Sequence, residues 1–514
     1  MATLAQGPAQ SNIVPRLANP AILFVVAAVV ILGGSAAFMA SDRWFDWPSR
    51  DLWQHMAALK ALIADPHAPR NPFVDSAEPS RHYQPFWAAM AVLARSFGWS
   101  ALQSINIAAF INAAILAAGF YLFGRTYFRS DWGPLALLLC CALGWIVPIS
   151  HTGFFNLETL VEGIAYPAPL LVGLSFILWA MAIRSFEKPW FGLLIVPLSA
   201  FMFATHQLGA VLGFLVAVAI AATWPGRLSG RIAIAGAIAA GVAISTTWIY
   251  FNPISAVLRA GNPTWRHGPN FYSPSMLAGI FFPSSVGIIG LLSHRYGGKG
   301  RPLLMALVVC LIAFVAGANG YLIGIRFAPL AALLLQVGLA GLMVRSLEDP
   351  SFYSDRVKRT FSRTAIGIAL FQIPILGLYF FVQTIDERRY GNVLTETGVL
   401  LADLPDRRQV AAYDFAAWPV VASGQKVLSE PWPEPFISDL SVRQRENDAL
   451  FDTRLTRQQR LILAKKFGVR TLVLDERFGP RDDPRKWRRA ELSLFRSQAR
   501  QTIRAGPIWR FDLY

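Results

Sequence analysis

The sequence predicts an all-α polytopic membrane domain with a small α/β domain at its C-terminal end. Three observations support this prediction. The chain is 54% hydrophobic and only 15% charged over 514 residues, with a mean hydropathy of +0.42. Uncharged runs of about 20 residues, the length that crosses the core of a bilayer, recur through the first three-quarters of the chain. After Val382 the hydropathy falls, and short strand-like runs alternate with helical segments.

About eleven transmembrane segments are predicted from the apolar runs. The first run is too long for a signal peptide and lacks a small-residue cleavage site, so we expect it to be retained. The predicted spans are Pro20–Ala40, Ala101–Phe123, Pro134–Ser150, Ala168–Ile183, Trp190–Ala204, Gln207–Thr223, Ile232–Tyr250, Met276–Leu292, Leu303–Ala318, Phe327–Val344 and Ala365–Val382.

The positive charge is distributed as in a membrane protein. The formal net charge is +16, and Lys and Arg gather in alternate connections, such as Arg125 with Arg129 and Arg184 with Lys188. Connections of this kind are typically cytoplasmic. The distribution therefore explains the charge without a nucleic-acid partner. It places the N-terminus in the cytoplasm and the first loop, residues 41–100, on the outer side.

The segment Trp190–Trp224 has cytoplasmic-type charge at both ends, so it should cross the membrane an even number of times. Two short helices that meet near Thr205, His206 and Gln207 would satisfy this requirement, and a re-entrant hairpin is the alternative. A polar trio at such an apex must face protein or water, because lipid would leave its polar groups unsatisfied.

The C-terminal part is predicted to be a separate domain. We expect residues 1–383 to form the membrane domain and residues 384–514 to form a soluble extracytoplasmic α/β domain. Three strand-like runs and one helical segment indicate its class. These are Gln409–Tyr413, Gln425–Leu428, Arg470–Leu474 and the helix Arg457–Phe467.

The first loop carries acids that suit chemistry at the membrane surface: Asp42, Asp46 and Asp51. Asp51 and His55 are four residues apart, so they share one face of a helix. Carboxylates beside a hydrophobic boundary tend to have raised pKa values, which favours accepting a proton near neutral pH. We expect one acid to be catalytic, with Asp51 ahead of Asp46 and Asp42. The alternative is that Asp51 only caps an amphipathic helix at the membrane interface.

The same acids allow a metal ion. Two nearby carboxylates and a histidine can hold a divalent cation, although this spacing is not that of a specific metal motif. The sequence indicates no other cofactor. The cysteines Cys140, Cys141 and Cys310 lie within apolar runs, and the adjacent pair is unsuited to a disulfide.

Further polar residues of the outward loops are candidates for binding substrate. Arg81, His82 and Tyr83 follow a proline-rich stretch, and Arg81 and His82 could bind an anionic headgroup or extend beneath an aromatic belt. Glu158 lies in the third outward connection, where a function and a solvated loop charge fit the sequence equally. Arg266 lies in the fourth outward loop, amid Pro and Gly residues that suggest a mobile gate.

Arg326 is the most informative single cation. It is expected at the outer end of a late span, where the positive-inside pattern does not explain it, and no acidic residue is near it in sequence. An ionisable group at such a place needs a partner acid or a phosphate. We favour a phosphate over an ion pair with the first loop.

These features resemble the GT-C class of integral-membrane glycosyltransferases, which take sugars from polyprenyl-phosphate carriers. In that class an acid-bearing outward loop with two interfacial helices follows the first transmembrane helix, and a basic residue at the outer end of a late helix holds the carrier phosphate. Asp42, Asp46 and Asp51 supply the acids here, and Arg326 matches the basic residue. The chain lacks the Asp-Glu pair of several branches, because Asp42 is followed by Arg43.

The resemblance implies a multi-pass enzyme of the bacterial inner membrane. It would move a sugar from a polyprenyl-phosphate donor to a glycan, lipid or protein acceptor on the extracytoplasmic face, with inversion and with a first-loop Asp as general base. The residues expected to bind substrate are His55, Arg81, His82, Tyr83, Glu158, Arg266 and Arg326.

Two other functions are compatible with the sequence: a transporter or lipid flippase, and a non-catalytic assembly or export component. Transporters often show inverted repeats and broken helices near the bilayer midplane. The Thr205–Gln207 apex resembles such a break, but we find no second copy of it in the sequence. Most of the candidate charges lie in outward loops rather than within spans, which favours the enzyme.

Overall fold

A computed structural model describes residues 19–41, 52–145, 154–259, 272–282, 284–292, 300–319 and 321–349 of the helical part, with short pieces between 363 and 378. In the C-terminal part it describes residues 393–405, 409–430, 434–476, 487 and 489–514.

The N-terminal part is a set of packed α-helices. A π-helical turn, Val29–Gly33, joins the first two into one continuous helix. The helices are α1 (Pro20–Ala28), α2 (Gly34–Met39), α3 (Leu52–Ala64), α4 (Pro85–Phe97), α5 (Ala101–Phe128), α6 (Gly133–Leu143), α7 (Leu157–Gly163), α8 (Pro167–Ser185), α9 (Phe191–Thr205), α10 (Gln207–Thr223), α11 (Leu228–Ser245), α12 (Pro253–Arg259), α13 (Pro274–Phe281), α14 (Gly287–Leu292), α15 (Arg301–Ala318) and α16 (Ala328–Glu348).

Within the described residues, six helices are long and apolar enough to cross a membrane, or seven if a pair bent by 49° counts as one span. The shorter apolar helices α6, α9 and α10 coincide with further predicted spans. Most of the predicted span Ala365–Val382 lies outside the described residues, so the count of about eleven stays a prediction. The six helices are Pro20–Met39, Ala101–Phe128, Pro167–Ser185, Leu228–Ser245, Arg301–Ala318 and Ile323–Glu348.

Local signals set the helix ends that matter for the site. Ser100 and Gln103 form a capping box at the start of α5. His206 has extended backbone, with φ −155° and ψ 96°, and this interrupts the helical hydrogen bonding between α9 and α10. The segment Trp190–Trp224 therefore contains two short helices that meet at His206, which fits both arrangements predicted for it, and the number of crossings stays a prediction.

The C-terminal part contains a five-stranded sheet of order β2-β1-β3-β5-β4. β1 pairs in parallel with β2 and β3, whereas β5 pairs antiparallel with β3 and β4. The strands are β1 (Gln409–Ala412), β2 (Lys426–Val427), β3 (Thr471–Asp475), β4 (Gln501–Ala505) and β5 (Ile508–Asp512). The helices are α17 (Val393–Leu401), α18 (Ala417–Ser423), α19 (Leu440–Leu450), α20 (Arg457–Lys466) and α21 (Arg489–Gln498).

The strand-like runs and the helix predicted in this part match β1, β2, β3 and α20 to within one residue at each end. The sequence prediction misses the hairpin of β4 and β5, which turns at Gly506 with a positive φ of 54°. The proposed domain boundary at residues 383–384 lies outside the described residues and stays a prediction.

Both faces of this sheet are buried. Alternate residues of a strand point to opposite faces, so Ala411, Leu472 and Leu474 pack with side chains of the C-terminal part. Val410 and Val473 point the other way and join the hydrophobic core of the helical part. The two parts therefore share one continuous core, in which α18 packs against α3.

The first loop extends this sheet at its β2 edge. The Val427 amide donates to the Phe73 carbonyl at 2.8 Å, and Val74 pairs with Val427 in a parallel bridge. The Lys426 ammonium group donates to the Asn71 carbonyl. Main-chain pairing thus fixes the middle of the first loop on the C-terminal part.

Candidate active site

Four of the predicted site residues lie outside the described residues: Asp42, Asp46, Asp51 and Arg266. The described chain resumes at Leu52, whose amide donates to the Tyr166 hydroxyl at 3.2 Å. Tyr166 is the residue that precedes α8. The position directly after Asp51 in the chain is therefore anchored at the start of α8.

The helix that follows, α3, is buried on both faces, with nine of its 13 residues buried. The sequence predicts an interfacial helix with one polar face. That face is instead covered, because His55 on it contacts Trp87 of α4. In addition α18 of the C-terminal part packs on α3, and Lys60 donates to the carbonyl of Ala422 within α18. This contact joins residues more than 350 positions apart, which no local pattern reveals.

His55 and His82, both predicted to bind substrate, form a buried pair with ring centroids 5.5 Å apart. Trp87 Nε1 donates to His55 Nδ1 at 3.0 Å, so the proton of the neutral His55 ring is on Nε2. The Tyr166 ring lies 5.6 Å from His55, and the Phe73 ring lies 5.0 Å from His82. Aromatic side chains thus hold the two imidazoles in place.

Burial keeps both imidazoles neutral at neutral pH. It lowers the pKa of His55 from its ordinary 6.5 to about 3, and the positive charge of Arg81 acts in the same direction. Burial also lowers the pKa of His82 well below its ordinary value, and Arg81 adds to this effect. The rings therefore supply hydrogen-bonding groups, while Arg81 supplies a positive charge.

An apolar cavity lies between α8, α10 and α16. Its empty volume is about 740 Å³, counted with the part that is open to the surroundings. Its walls are mainly Leu, Val, Phe, Ala, Gly and Pro side chains, and its ionisable lining residues are His206 and Arg326. Such a cavity suits a ligand with an apolar chain and a single charged group.

His206 and Arg326 stand where two helices begin. His206 caps α10 and its Nδ1 accepts from the Gly209 amide at 2.9 Å, so in the neutral ring Nε2 carries the proton. Arg326 lies in the 3₁₀ turn Leu322–Phe327 that leads into α16, and its charge acts on His206. Helix N-termini carry partial positive charge. This end of the cavity is therefore suited to an anion.

Arg81 connects the histidine pair with the cavity. It is partly buried, and its charge acts on His55, His82 and His206. The first loop thus brings the charge of a second guanidinium group within electrostatic reach of His206, which lines the cavity together with Arg326. Three of the predicted binding residues, His55, Arg81 and His82, are brought together in this way.

Tyr83 and Glu158 take different places. The Tyr83 hydroxyl donates to the Arg70 carbonyl, and the Tyr83 carbonyl accepts from Trp248 Nε1 at 2.7 Å, so Tyr83 braces the first loop. Glu158 is 7% exposed in the first turn of α7, which does not fit a solvated loop charge. Their roles in binding substrate stay predictions.

His206, Glu430 and Glu434 belong to this region but were not among the predicted site residues. The polar apex Thr205–Gln207 is the sequence signal that points to His206. Glu430 and Glu434 stand on either side of Pro431, Trp432 and Pro433 in the sequence, and both are buried. Within the described residues no three His, Cys, Asp or Glu side chains stand together as metal ligands. A divalent cation held by the first-loop acids stays a prediction.

The chain has the fold of the GT-C class of membrane glycosyltransferases. It is similar to ArnT from Cupriavidus metallidurans in the apo state, with a TM-score of 0.55 at 12% sequence identity over 96% of this chain and 98% of that one. It is similar to the arabinofuranosyltransferase AftD from Mycobacteria, with a TM-score of 0.57 at 15% identity over 95% of this chain.

The mycobacterial protein is much longer, and this chain spans 40% of it. The oligosaccharyltransferase of Archaeoglobus fulgidus is also similar, with a TM-score of 0.53 at 14% identity over 89% of this chain and 70% of that one. No family model and no curated protein sequence matches the chain. At these identities the similarity establishes the fold.

Proposed function

We propose that this protein is a membrane glycosyltransferase that uses a polyprenyl-phosphate-linked sugar as donor. The observation that carries the proposal is the apolar cavity of the GT-C fold, with His206 and Arg326 as its ionisable lining residues. An archaeal structure with the same fold, the oligosaccharyltransferase AglB, contains a dolichol-phosphate and an inhibitory peptide; its TM-score to this chain is 0.52. A lipid-phosphate donor and a glycan, lipid or protein acceptor are in keeping with that similarity.

The donor would bind by its two chemically different parts. Its prenyl chain would lie against the apolar walls formed by α8, α10 and α16. Its phosphate would accept hydrogen bonds from the Arg326 guanidinium and from His206 Nε2, beside the N-termini of α10 and α16. Because His206 donates without carrying a charge, the phosphate would retain part of its negative charge in the complex.

The acceptor would be activated by a first-loop carboxylate, with Asp51 ahead of Asp46 and Asp42. Asp51 directly precedes Leu52, whose amide donates to the Tyr166 hydroxyl. Leu52 is about one helical turn before His55 in α3, and the Tyr166 ring also contacts His55. The acceptor oxygen would attack the anomeric carbon while the carboxylate takes its proton and the bond from the anomeric carbon to the phosphate oxygen breaks. Direct displacement predicts inversion at the sugar. A covalent intermediate would instead need a second carboxylate, such as Glu158 or Glu162.

Two effects would accelerate the transfer. General-base catalysis typically contributes on the order of a hundred- to ten-thousand-fold. Stabilisation of the leaving phosphate by Arg326, His206 and Arg81 would contribute a comparable factor, because donors that are already in place act where negative charge develops. If the loops follow the positive-inside pattern, this chemistry would take place on the extracytoplasmic face of the membrane, which we propose to be a bacterial inner membrane.

A comparison of cells with and without the gene tests the proposal. Loss of the protein is expected to remove one sugar from a surface glycan, lipid or protein and to accumulate one polyprenyl-phosphate sugar, both visible by mass spectrometry. Complementation with Arg326→Gln should fail, whereas Arg301→Gln, at an exposed position at the start of α15, should restore the sugar. Unchanged glycans, with a lipid or solute that no longer crosses the membrane, would indicate a transporter instead.

A further inference from the structure

Glu430 and Glu434 belong to the C-terminal part but are buried, at 3% and 2% exposed. One carboxylate oxygen of Glu434 accepts from the Ser80 hydroxyl at 3.0 Å, and the other accepts from the Arg81 amide at 3.3 Å. The Ser80 oxygen in turn accepts from the His82 amide at 3.2 Å. A chain of hydrogen bonds thus runs from Glu434 to the turn that carries Arg81 and His82.

Burying two carboxylates side by side is unfavourable unless charges or donors compensate. Burial raises the pKa of Glu430 well above its ordinary value, Glu434 raises it further, and the charge of Arg81 opposes both effects. Burial also raises the pKa of Glu434, while Arg81 and the hydrogen bonds from Arg81 and Ser80 oppose it. Arg81 is therefore a counter-charge to both carboxylates.

The same arginine acts on the proposed phosphate site. Its charge reaches His206, which lines the cavity, as well as His55 and His82. Its charge thus acts both on the acidic pair and on a residue that lines the cavity. A displacement of the turn at Ser80–His82 would move this charge relative to the cavity.

We propose that Glu434 is a positioning residue, which holds the Ser80–His82 turn so that Arg81 faces the carrier phosphate beside His206 and Arg326. The inference rests on the proposed function, because it assigns the phosphate to Arg81. Glu434 itself does not touch the substrate. The C-terminal part then has two effects on the first loop: it covers the loop, and its Glu434 carboxylate holds the Ser80–His82 turn in place.

A second contact of the same interface provides the control. The Glu78 carboxylate accepts from the Ser438 amide at 3.2 and 3.3 Å, so it also joins the first loop to the C-terminal part. It makes no hydrogen bond to residues 80–82 among the described contacts. Glu78→Gln therefore alters another acidic contact of the interface without changing the turn.

The test is a double-mutant cycle on the full-length protein in nanodiscs, with undecaprenyl phosphate as the ligand and its Kd as the readout. Glu434→Gln and Arg81→Gln are each expected to weaken binding roughly tenfold, within the range of couplings between contacting residues. The double variant should bind no more weakly than Arg81→Gln, because Glu434 acts through Arg81. Glu78→Gln should bind like the wild type.

Wild-type affinity in Glu434→Gln would overturn the inference. So would a double variant whose loss of affinity equals the product of the losses in the two single variants. If Glu434→Gln does not fold, Ser80→Ala removes the two bonds that the Ser80 hydroxyl makes in the same chain and leaves the bond from the Arg81 amide to Glu434. Ser80→Ala should weaken the binding of undecaprenyl phosphate by about two- to threefold in the wild-type background and should have no effect in the Arg81→Gln background. Wild-type affinity in the Ser80→Ala variant would also overturn the inference. Failure of the proposed function looks different, since the wild type would then not bind undecaprenyl phosphate at all.

Discussion

His206 and Arg326 line the same cavity although they are 120 residues apart in sequence. One caps α10 and the other precedes α16, so each stands at a helix N-terminus. Together they offer a permanent cation and a donor whose proton is fixed on Nε2. This combination fits a phosphate group attached to an apolar chain, and four predictions follow from the residues around it.

Replacement of His206 by Asn should weaken the binding of undecaprenyl phosphate about tenfold, the magnitude of one lost hydrogen bond to a charged group. Asn can still cap α10 through its side-chain oxygen, but it lacks the Nε2 donor. The affinity can be measured by titration in nanodiscs, with the exposed His67→Asn as control. Equal affinities of the two variants would exclude His206 as a phosphate ligand.

Replacement of Asp51 by Asn should reduce transfer by about a hundred-fold or more, the usual contribution of a general base, without changing the melting temperature. Asp46→Asn and Asp42→Asn should have smaller effects. The rate of sugar transfer by the purified variants ranks the three acids. Unaltered turnover in Asp51→Asn would remove Asp51 from this role and direct attention to Asp46.

Stability should fall on acidification below pH 6.5 because of His55. Its pKa is lowered to about 3 in the folded protein, so its stabilising contribution is complete above the unfolded pKa of about 6.5 and is lost as the pH falls towards 3. Between pH 7 and pH 5 this amounts to about 2 kcal/mol. His55→Asn keeps an acceptor for Trp87 Nε1 and should show a smaller pH dependence of its denaturation midpoint. An identical pH dependence in the two proteins would contradict the assignment.

A larger side chain in the cavity should reduce the affinity for a long prenyl phosphate more than the affinity for a short one. Leu212 lines the cavity, whereas its neighbour Val211 is 41% exposed on the outside of the helical part. Leu212→Trp should weaken the binding of undecaprenyl phosphate more than that of a short-chain prenyl phosphate, because the indole occupies space meant for the chain. Val211→Trp should change neither affinity. Equal binding of both lipids by Leu212→Trp would show that the chain lies elsewhere.

Much of the fold is readable from the sequence because its signals are local. Long apolar runs predict the helices and strand-like runs predict β1 to β3, while Arg326 became a candidate because its expected place departs from the positive-inside pattern. The roles of His206 and Glu434 could not be predicted in the same way. His206 acquires its role from a cavity formed by three helices, and Glu434 from a contact with Ser80 across 354 residues. The burial of α3 was missed for the same reason, since a helix distant in sequence packs on it.

The most direct test of sugar transfer adds the purified protein, in liposomes, to lipids extracted from cells that lack the gene. Mass spectrometry should show one polyprenyl-phosphate sugar being consumed and an equal amount of polyprenyl phosphate being released, and the Arg326→Gln variant should leave that lipid intact. No consumption of any lipid-linked sugar by the wild type, in the presence of the cell's own acceptors, would contradict the account.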